Sequence, residues 1–506
     1  MIFDKKKLKT PEYTAVLAGF FGGVLLHLYG LVTTLQNADN IHCQSTGYGA
    51  GISSGRWMLM ILGEWCRDNM LLYNLDWVNG LVFIAAVAIS AGFLVSIFRI
   101  KSRQFAALIG IVLVSFPTVC STMLYRYTIG YYGLAFFLSV FAVWILPRYK
   151  IVGFLISSLA IACSLGIYQA YLPVTAAVYV LWLFHINLSE EVTFLQVFKK
   201  GLLAVATMVL GLIVYFGINK LCLIQYGLEL DAYQGINEMG KISLGEVPGL
   251  IVRTYRCYFR LPFDDYCDLA TNDLLKLVYL VIYIVNIVLA VVVFAQKKKP
   301  LGNILMAVLL GAAFPVAVNL IEIMCPGSRI YSLMVFSCAI SFFVPLVLLE
   351  QMPSPRKIVV KGVAVILLLF AMLNTYFNNL TYTMTYYVNR QAENYMVSLV
   401  TQVRMTKGFS TDKKWAFIGA NADPMLKNEW NSAPRYGGAD TIRRFLTAYS
   451  WQKWIPTYVG IQIPLANNDT VEAIKQTQEF QDMACWPNDD SIRIINNVIV
   501  VKFQEE

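Results

Sequence analysis

The stretch IVGFLISSLAIACSLGIYQAYLPVTAAVYVLWLFHI, residues 151–186, decides how the chain is threaded. A single helix over this range would be far longer than the ~20 residues needed to cross a bilayer core. Near its middle lies YQAYLP, residues 168–173, with the polar Gln169 and with Pro173. A proline inside a helix removes a backbone hydrogen bond and clashes with the preceding turn. The stretch therefore reads as two short spans, 151–167 and 171–186, that meet at this break. One uninterrupted span would invert every segment that follows.

Working outward, apolar runs of spanning length recur at about 13–35, 74–98, 104–122, 127–146, 201–224, 274–295, 301–320, 331–349 and 358–377. With the two above, about eleven transmembrane helices are expected. Lysine and arginine in short flanks mark the cytoplasmic side. Lys5, Lys6, Lys7 and Lys9 precede the first span, Arg99, Lys101 and Arg103 follow the second, and Arg148 and Lys150 follow the fourth. Lys199 and Lys200, Lys297 to Lys299, and Arg356 and Lys357 fall on the same side once the break at 168–173 is accepted. The N-terminus is then expected in the cytoplasm and the tail outside.

Composition agrees with a polytopic helical membrane protein. The chain is 58% hydrophobic and only 14% charged, where a soluble domain carries about 25% charge. Its net charge of +9 comes from clusters beside apolar runs, not from one basic face, so nucleic acid is not an expected partner. His27, His42 and His185 are far apart, which argues against a histidine metal site. None of the ten cysteines forms a CxxC pair. Cys257 with Cys267, or Cys43 with Cys66, are pairings open to an oxidising compartment, and isolated thiols are the other reading. The first apolar run is too long for a cleavable signal and reads as a retained anchor.

On this topology the outer side owns 36–73, 225–273, 321–330 and the tail. IVRTYRCYFRLPF (251–263) alternates aromatic and basic residues as an interfacial helix does. The tail, with strand-like WAFIG (415–419) and IINNVIVVKF (494–503) and helical DTIRRFLTAYSWQKW (440–454), reads as a small α/β domain. Two domains are expected: a membrane domain over 1–377 and an extracytoplasmic soluble α/β domain over 378–506.

Candidate chemistry gathers in the outer segments. Asp39, in QNADN (36–40), is either a solvated loop carboxylate or a general base at the membrane boundary, placed to take a proton from a sugar hydroxyl. Glu64, Asp68 and Asp76 compete with it. SSGRWMLMILGEW (53–65) reads as a surface helix with Arg56 near its start. In PGSRIYS (326–332), Arg329 is either a snorkelling residue or a phosphate ligand, with paired donors and a permanent charge and with Glu322 placed to orient it. Arg126, in LYRYT (124–128), faces the same side, as does Lys220 if its span ends early. Asp264 and Asp265 in FDDY offer a divalent-cation site, although adjacent aspartates usually point apart. No other cofactor is expected. Tyr125 and Tyr168, with Trp57, Trp65, Tyr255 and Tyr258, are aromatic surfaces for sugar rings.

The lip carboxylate, the SSGRW segment, the outer Arg329 and the ending NDDSIRIINNVIVVKF resemble the GtrII-type glucosyltransferases, bacterial polytopic enzymes of the GT-C fold that decorate surface polysaccharides such as O-antigen. The resemblance implies a polyprenyl-phosphate sugar donor, inverting transfer to a cell-surface polysaccharide acceptor, and a place in the bacterial inner membrane. It carries the catalytic base onto Asp39 and the lipid-phosphate arginine onto Arg329. Many relatives have two acids in the first loop, whereas here Asn37 and Asn40 flank a single aspartate. The rival reading is a flippase or transporter of lipid-linked sugars. Transporters place charge near the bilayer midplane and often show inverted repeats; here the charges sit at the outer lips and no repeat is visible.

Overall fold

A computed structural model describes residues 10–43, 51–70, 75–231, 243, 245–263, 266–419, 435–442 and 452–504. Helices dominate, and among the described residues a single small sheet lies near the C-terminus. The chain is a polytopic helical membrane protein. It divides into two compact units, one of Met1–Val32, Thr46–Leu380 and Pro434–Gly437, the other of Thr33–Ser45, Thr381–Ala433 and Gly438–Glu506.

In the first unit the chain breaks at YQAYLP. Helix Lys150–Ile167 ends where Tyr168 turns extended, at φ −158° and ψ 121°. A 3-10 turn, Gln169–Tyr171, leads into helix Leu172–Ser189. Pro173 stands in the first turn of that helix, where its missing N–H breaks no bond.

Apolar helices occupy all eleven expected stretches. Seven of them are long and apolar enough to cross a membrane, or eight when Arg103–Ser115 and Pro117–Met123, bent by 47°, count as one. The expected spans 13–35, 127–146 and 331–349 are shorter helices: Pro11–Leu26, Ile129–Ile145 and Phe336–Gln351. The first of these is a correction with a clear cause. Helix Pro11–Leu26 stops at His27, a short helix Leu28–Val32 follows, and the His27 ring bonds the Val114 carbonyl at 2.7 Å. Small residues let neighbouring backbones approach: a Cβ on Gly110 would lie 2.5 Å from the Ala15 carbonyl and 2.8 Å from the Gly19 nitrogen. Such close approach replaces the hydrophobic drive that is missing between helices in lipid.

The last helix, Lys357–Met405, contains the expected span 358–377 and continues far beyond it. The tail therefore begins as helix, and from Thr381 on it belongs to the second unit. In the second unit, Val388, Ala392, Met396, Leu399 and Val403 recur every three or four residues and are buried against Trp415, Ile499 and Val501. Strand β1 (Lys414–Ile418) runs parallel to β3 (Val498–Lys502), and β2 (Ile492–Ile495) pairs with β3 antiparallel. The opposite sheet face, Ala416, Ile418, Val498 and Val500, packs on Ile474, Phe480 and Met483. The stretch 494–503 is thus not one strand but a hairpin, turned at Asn496 and Asn497 with φ of 48° and 63°, the signature of a type I′ turn. The helical reading of 440–454 falls largely outside the described residues.

Candidate functional site

The break at Tyr168 also builds a site. It swings Tyr168 and Gln169 onto the segment that precedes helix Trp57–Met70. Gln169 donates to the Ser54 carbonyl at 2.9 Å and to the Tyr215 hydroxyl at 3.0 Å. Gly55, at φ +70°, has no room for a side chain, because a Cβ there would run into the Tyr215 hydroxyl and the Gln169 amide. Trp57 in turn lies against Gly166, whose missing side chain makes space for the indole. These contacts hold Arg56 in place. Its guanidinium lies over the Tyr168 ring at 4.8 Å and its Nη1 donates to the Tyr132 hydroxyl at 3.4 Å. Tyr132 stacks on Tyr168 with 4.6 Å between centroids. Arg56 is half-buried, and its Nε is shut off from solvent without an acceptor among the described residues. A buried donor left unbonded is costly, and a bound anion drawing on the guanidinium would relieve that cost.

Arg126 forms a second node in the turn between Pro117–Met123 and Ile129–Ile145. It is fully buried; Nη2 donates to the Gly30 carbonyl at 2.5 Å, and Asn79 donates to the Arg126 carbonyl at 3.3 Å. Asp76, one turn before Asn79 on helix Asp76–Ile97, interacts electrostatically with the same guanidinium. Arg126 thus ties these three segments together. Tyr125, beside it, is half-buried.

Glu322 and Arg329 do not meet, which corrects the expectation that one orients the other. Glu322 is buried and pairs with Arg253 Nε at 2.5 Å. Arg253 projects from the amphipathic helix Val247–Arg260, so this pair fastens that helix to the segment bearing Glu322. Arg329 bonds both carboxylate oxygens of Asp268, at 3.0 and 3.2 Å, and lies over the Tyr331 ring at 5.3 Å. Its side chain is two-thirds exposed. Glu64 is half-buried on helix Trp57–Met70, and Asp68 on the same helix pairs with Arg67 at 3.2 Å. Lys220 is exposed on helix Phe194–Tyr226. Asp264 and Asp265 lie outside the described residues, and no metal-binding group of three or more ligands occurs among those described. All ten cysteines are free thiols.

Asp39 belongs to the second unit. It stands half-buried in the first turn of the short helix Ala38–Cys43. The residues around it are held by partners distant in sequence. The Gln36 amide donates to Asn389 Oδ1 at 2.7 Å, and Asn389 Nδ2 returns a bond to the Gln36 carbonyl at 2.8 Å. Asn37 Nδ2 donates to the Gly438 carbonyl at 3.1 Å, while its Oδ1 accepts the Asn40 amide at 2.8 Å. The Ala38 amide donates to Oδ2 of Asp440, a buried carboxylate, at 2.8 Å. A carboxylate accepting the first free amide of a helix is a strong cap. Asn37 and Asn40, on either side of Asp39, are buried, and the Asn37 side chain braces the loop, while the carboxylate that caps its helix comes from the tail. Sequence reasoning singles out neither Asp440 nor Asn389, because each acts on a partner hundreds of residues away.

Compared with known families, residues 28–343 match the one described as Glucosyl transferase GtrII. The matched range contains Asp39, Arg56, Tyr125, Arg126, Tyr168, Glu322 and Arg329, and stops short of Asp440. No curated protein and no solved structure matches the chain.

Proposed function

The chain belongs to the GtrII glucosyl transferase family, and from that premise we propose that it moves a glucose-like sugar from a polyprenyl phosphate to a cell-surface polysaccharide on the outer face of the bacterial inner membrane. On this reading the fold is of the GT-C type, the N-terminus is cytoplasmic and the C-terminal unit extracytoplasmic. The acceptor hydroxyl loses its proton to Asp39 as its oxygen attacks the anomeric carbon. The bond from that carbon to the phosphate oxygen breaks, and the electron pair leaves with the polyprenyl phosphate. One displacement inverts the anomeric centre and needs neither a covalent intermediate nor a metal.

The observation that carries the proposal is the Arg56 cluster. A guanidinium held over an aromatic ring, with a donor lacking its acceptor, suits a phosphate whose charge grows as the bond breaks. Arg56 is better placed for this than Arg329, whose charge is already matched by Asp268. A donor carried by a lipid also fits a chain rich in apolar helices, since it reaches an outward site from within the bilayer. Purified protein incubated with radiolabelled polyprenyl-phosphate glucose and a polysaccharide acceptor tests the reading. Label should pass to the polymer with inverted configuration. Label that stays on the lipid and merely changes leaflet in vesicles would point to a flippase instead.

A further inference from the structure

At the opposite end of the helices that carry the Arg56 cluster lies a cavity of about 830 Å³. Tyr168 caps one end of helix Lys150–Ile167 and Lys150 begins the other, which places the two regions about 27 Å apart at 1.5 Å per residue. The cavity is therefore a separate feature. Its walls include Ile97, Leu146, Phe154 and Trp182, and its rim carries Arg99, Arg148, Lys150 and Lys200.

Four cations face one carboxylate. Glu190, the sole acid lining the cavity among the described residues, is shared by Arg99 at 2.9 Å and Lys200 at 3.4 Å. Arg148 has only neutral partners among the described residues: it lies over the Trp144 ring at 4.2 Å and donates to Ser96 Oγ at 3.2 Å and to the Trp144 carbonyl. Burial and the nearby Arg99 both depress the Arg148 pKa, as expected where positive charge is under-compensated. Arg99 and Lys150 stand at φ of +51° and +46°, a left-handed conformation that residues with a side chain rarely adopt. At Arg99 it closes the end of helix Asp76–Ile97, where the Ile100 amide donates to the Val95 carbonyl at 3.1 Å. Here it brings two chain reversals, each bearing a cation, to the rim of one apolar cavity.

We propose that this cavity binds the phosphate-bearing headgroup of an anionic phospholipid, with its acyl chains along the apolar wall. The shared chemistry is a phosphate monoanion or dianion held by forked and point-charge cations. The apolar wall selects a lipid over a free phosphate, because a soluble anion leaves that surface uncovered.

The test uses the full chain in mild detergent after delipidation, with phosphatidylglycerol, phosphatidylcholine and inorganic phosphate as probes. Thermal unfolding and native mass spectrometry supply the readouts. Phosphatidylglycerol should raise Tm and remain bound in the spectrometer, and phosphatidylcholine should do neither at the same concentration. Arg148→Ala combined with Lys150→Gln should weaken the phosphatidylglycerol effect about 25-fold, at about fivefold per cation, whereas Arg148→Lys should keep most of it. Lys150→Gln alone alters an exposed side chain and covers the case in which the double variant folds poorly; it should show the single fivefold loss. Equal protection by the zwitterionic lipid, or no loss in Lys150→Gln and the double variant, overturns the proposal. Protection by inorganic phosphate matching that of phosphatidylglycerol overturns the lipid in favour of a soluble anion.

Discussion

Tyr132 and Tyr168 stack within 4° of parallel, and the Arg56 guanidinium touches both, over the ring of one and at the hydroxyl of the other. The pair fixes a cation that has few other partners, so its removal should be felt in donor binding. Arg56→Ala is expected to raise the KM for a polyprenyl-phosphate sugar by about 10–100-fold, the range of a charge-assisted hydrogen bond. Tyr168→Leu should raise it less. Arg329→Ala, which removes an exposed pair with Asp268, should cost under about fivefold. Steady-state kinetics on the three variants checks the order; an Arg329 variant worse than the Arg56 one would move the phosphate to Arg329.

Asp39→Asn keeps size and polarity and removes the proton acceptor. Turnover should fall by about 10²–10⁴-fold, the usual share of a general base, while donor affinity stays. Glu64→Gln and Asp68→Asn should lose far less. Single-turnover assays decide: near-normal transfer by Asp39→Asn alongside a dead Glu64 or Asp68 variant means the base is misassigned.

Asp440 touches the Ala38 amide and acts through the helix that presents Asp39. Asp440→Ala leaves that amide without its acceptor, and should destabilise by about 1–3 kcal/mol and lower kcat more than it changes KM. Asp440→Asn retains an accepting oxygen and should recover most of the loss. If both variants match wild type in kcat, the cap is structural only.

Two glycines offer a contrast in stability. Gly55→Ala meets a positive φ and two filled contacts, and should destabilise by about 1–3 kcal/mol. Gly217, on helix Phe194–Tyr226, has no described atom beyond its own stretch of helix within 4 Å of the place a Cβ would take, and its change to Ala should stabilise by about 0.5–1 kcal/mol. Thermal unfolding in detergent reads both.

Orientation is open to direct labelling. In a cysteine-free background, Lys414→Cys should react with an impermeant maleimide on intact cells and Lys298→Cys only after permeabilisation. The reverse pattern would invert the orientation.

The break at YQAYLP is legible in the sequence because proline and glutamine act locally, within a turn of where they stand. The apolar runs are legible for the same reason. The end of the first helix is not, since His27 stops it by reaching Val114, which no local pattern records. Glu322 sits seven residues before Arg329, and proximity along the chain suggests a pair; the fold gives Glu322 to Arg253 instead. The Asn496–Asn497 turn carries a usable signal, two residues tolerant of positive φ between apolar runs, that the length of the stretch obscures. Asp440 leaves none, because its hydrogen bond spans 402 residues.

That span has a consequence for how the protein is made. Residues 33–45 belong to the same compact unit as 381–433 and 438–506, so the segment bearing Asp39 leaves the ribosome long before its partners exist. At about 5–20 residues per second, the 402 residues between Ala38 and Asp440 take roughly 20–80 s to synthesise. Throughout that interval the Asp39 segment is without the contacts that shape it, and a chain cut short anywhere before Asp440 inserts its helices without ever assembling the cap. Completion of translation thereby becomes a condition for the Asp39 segment to take its final form.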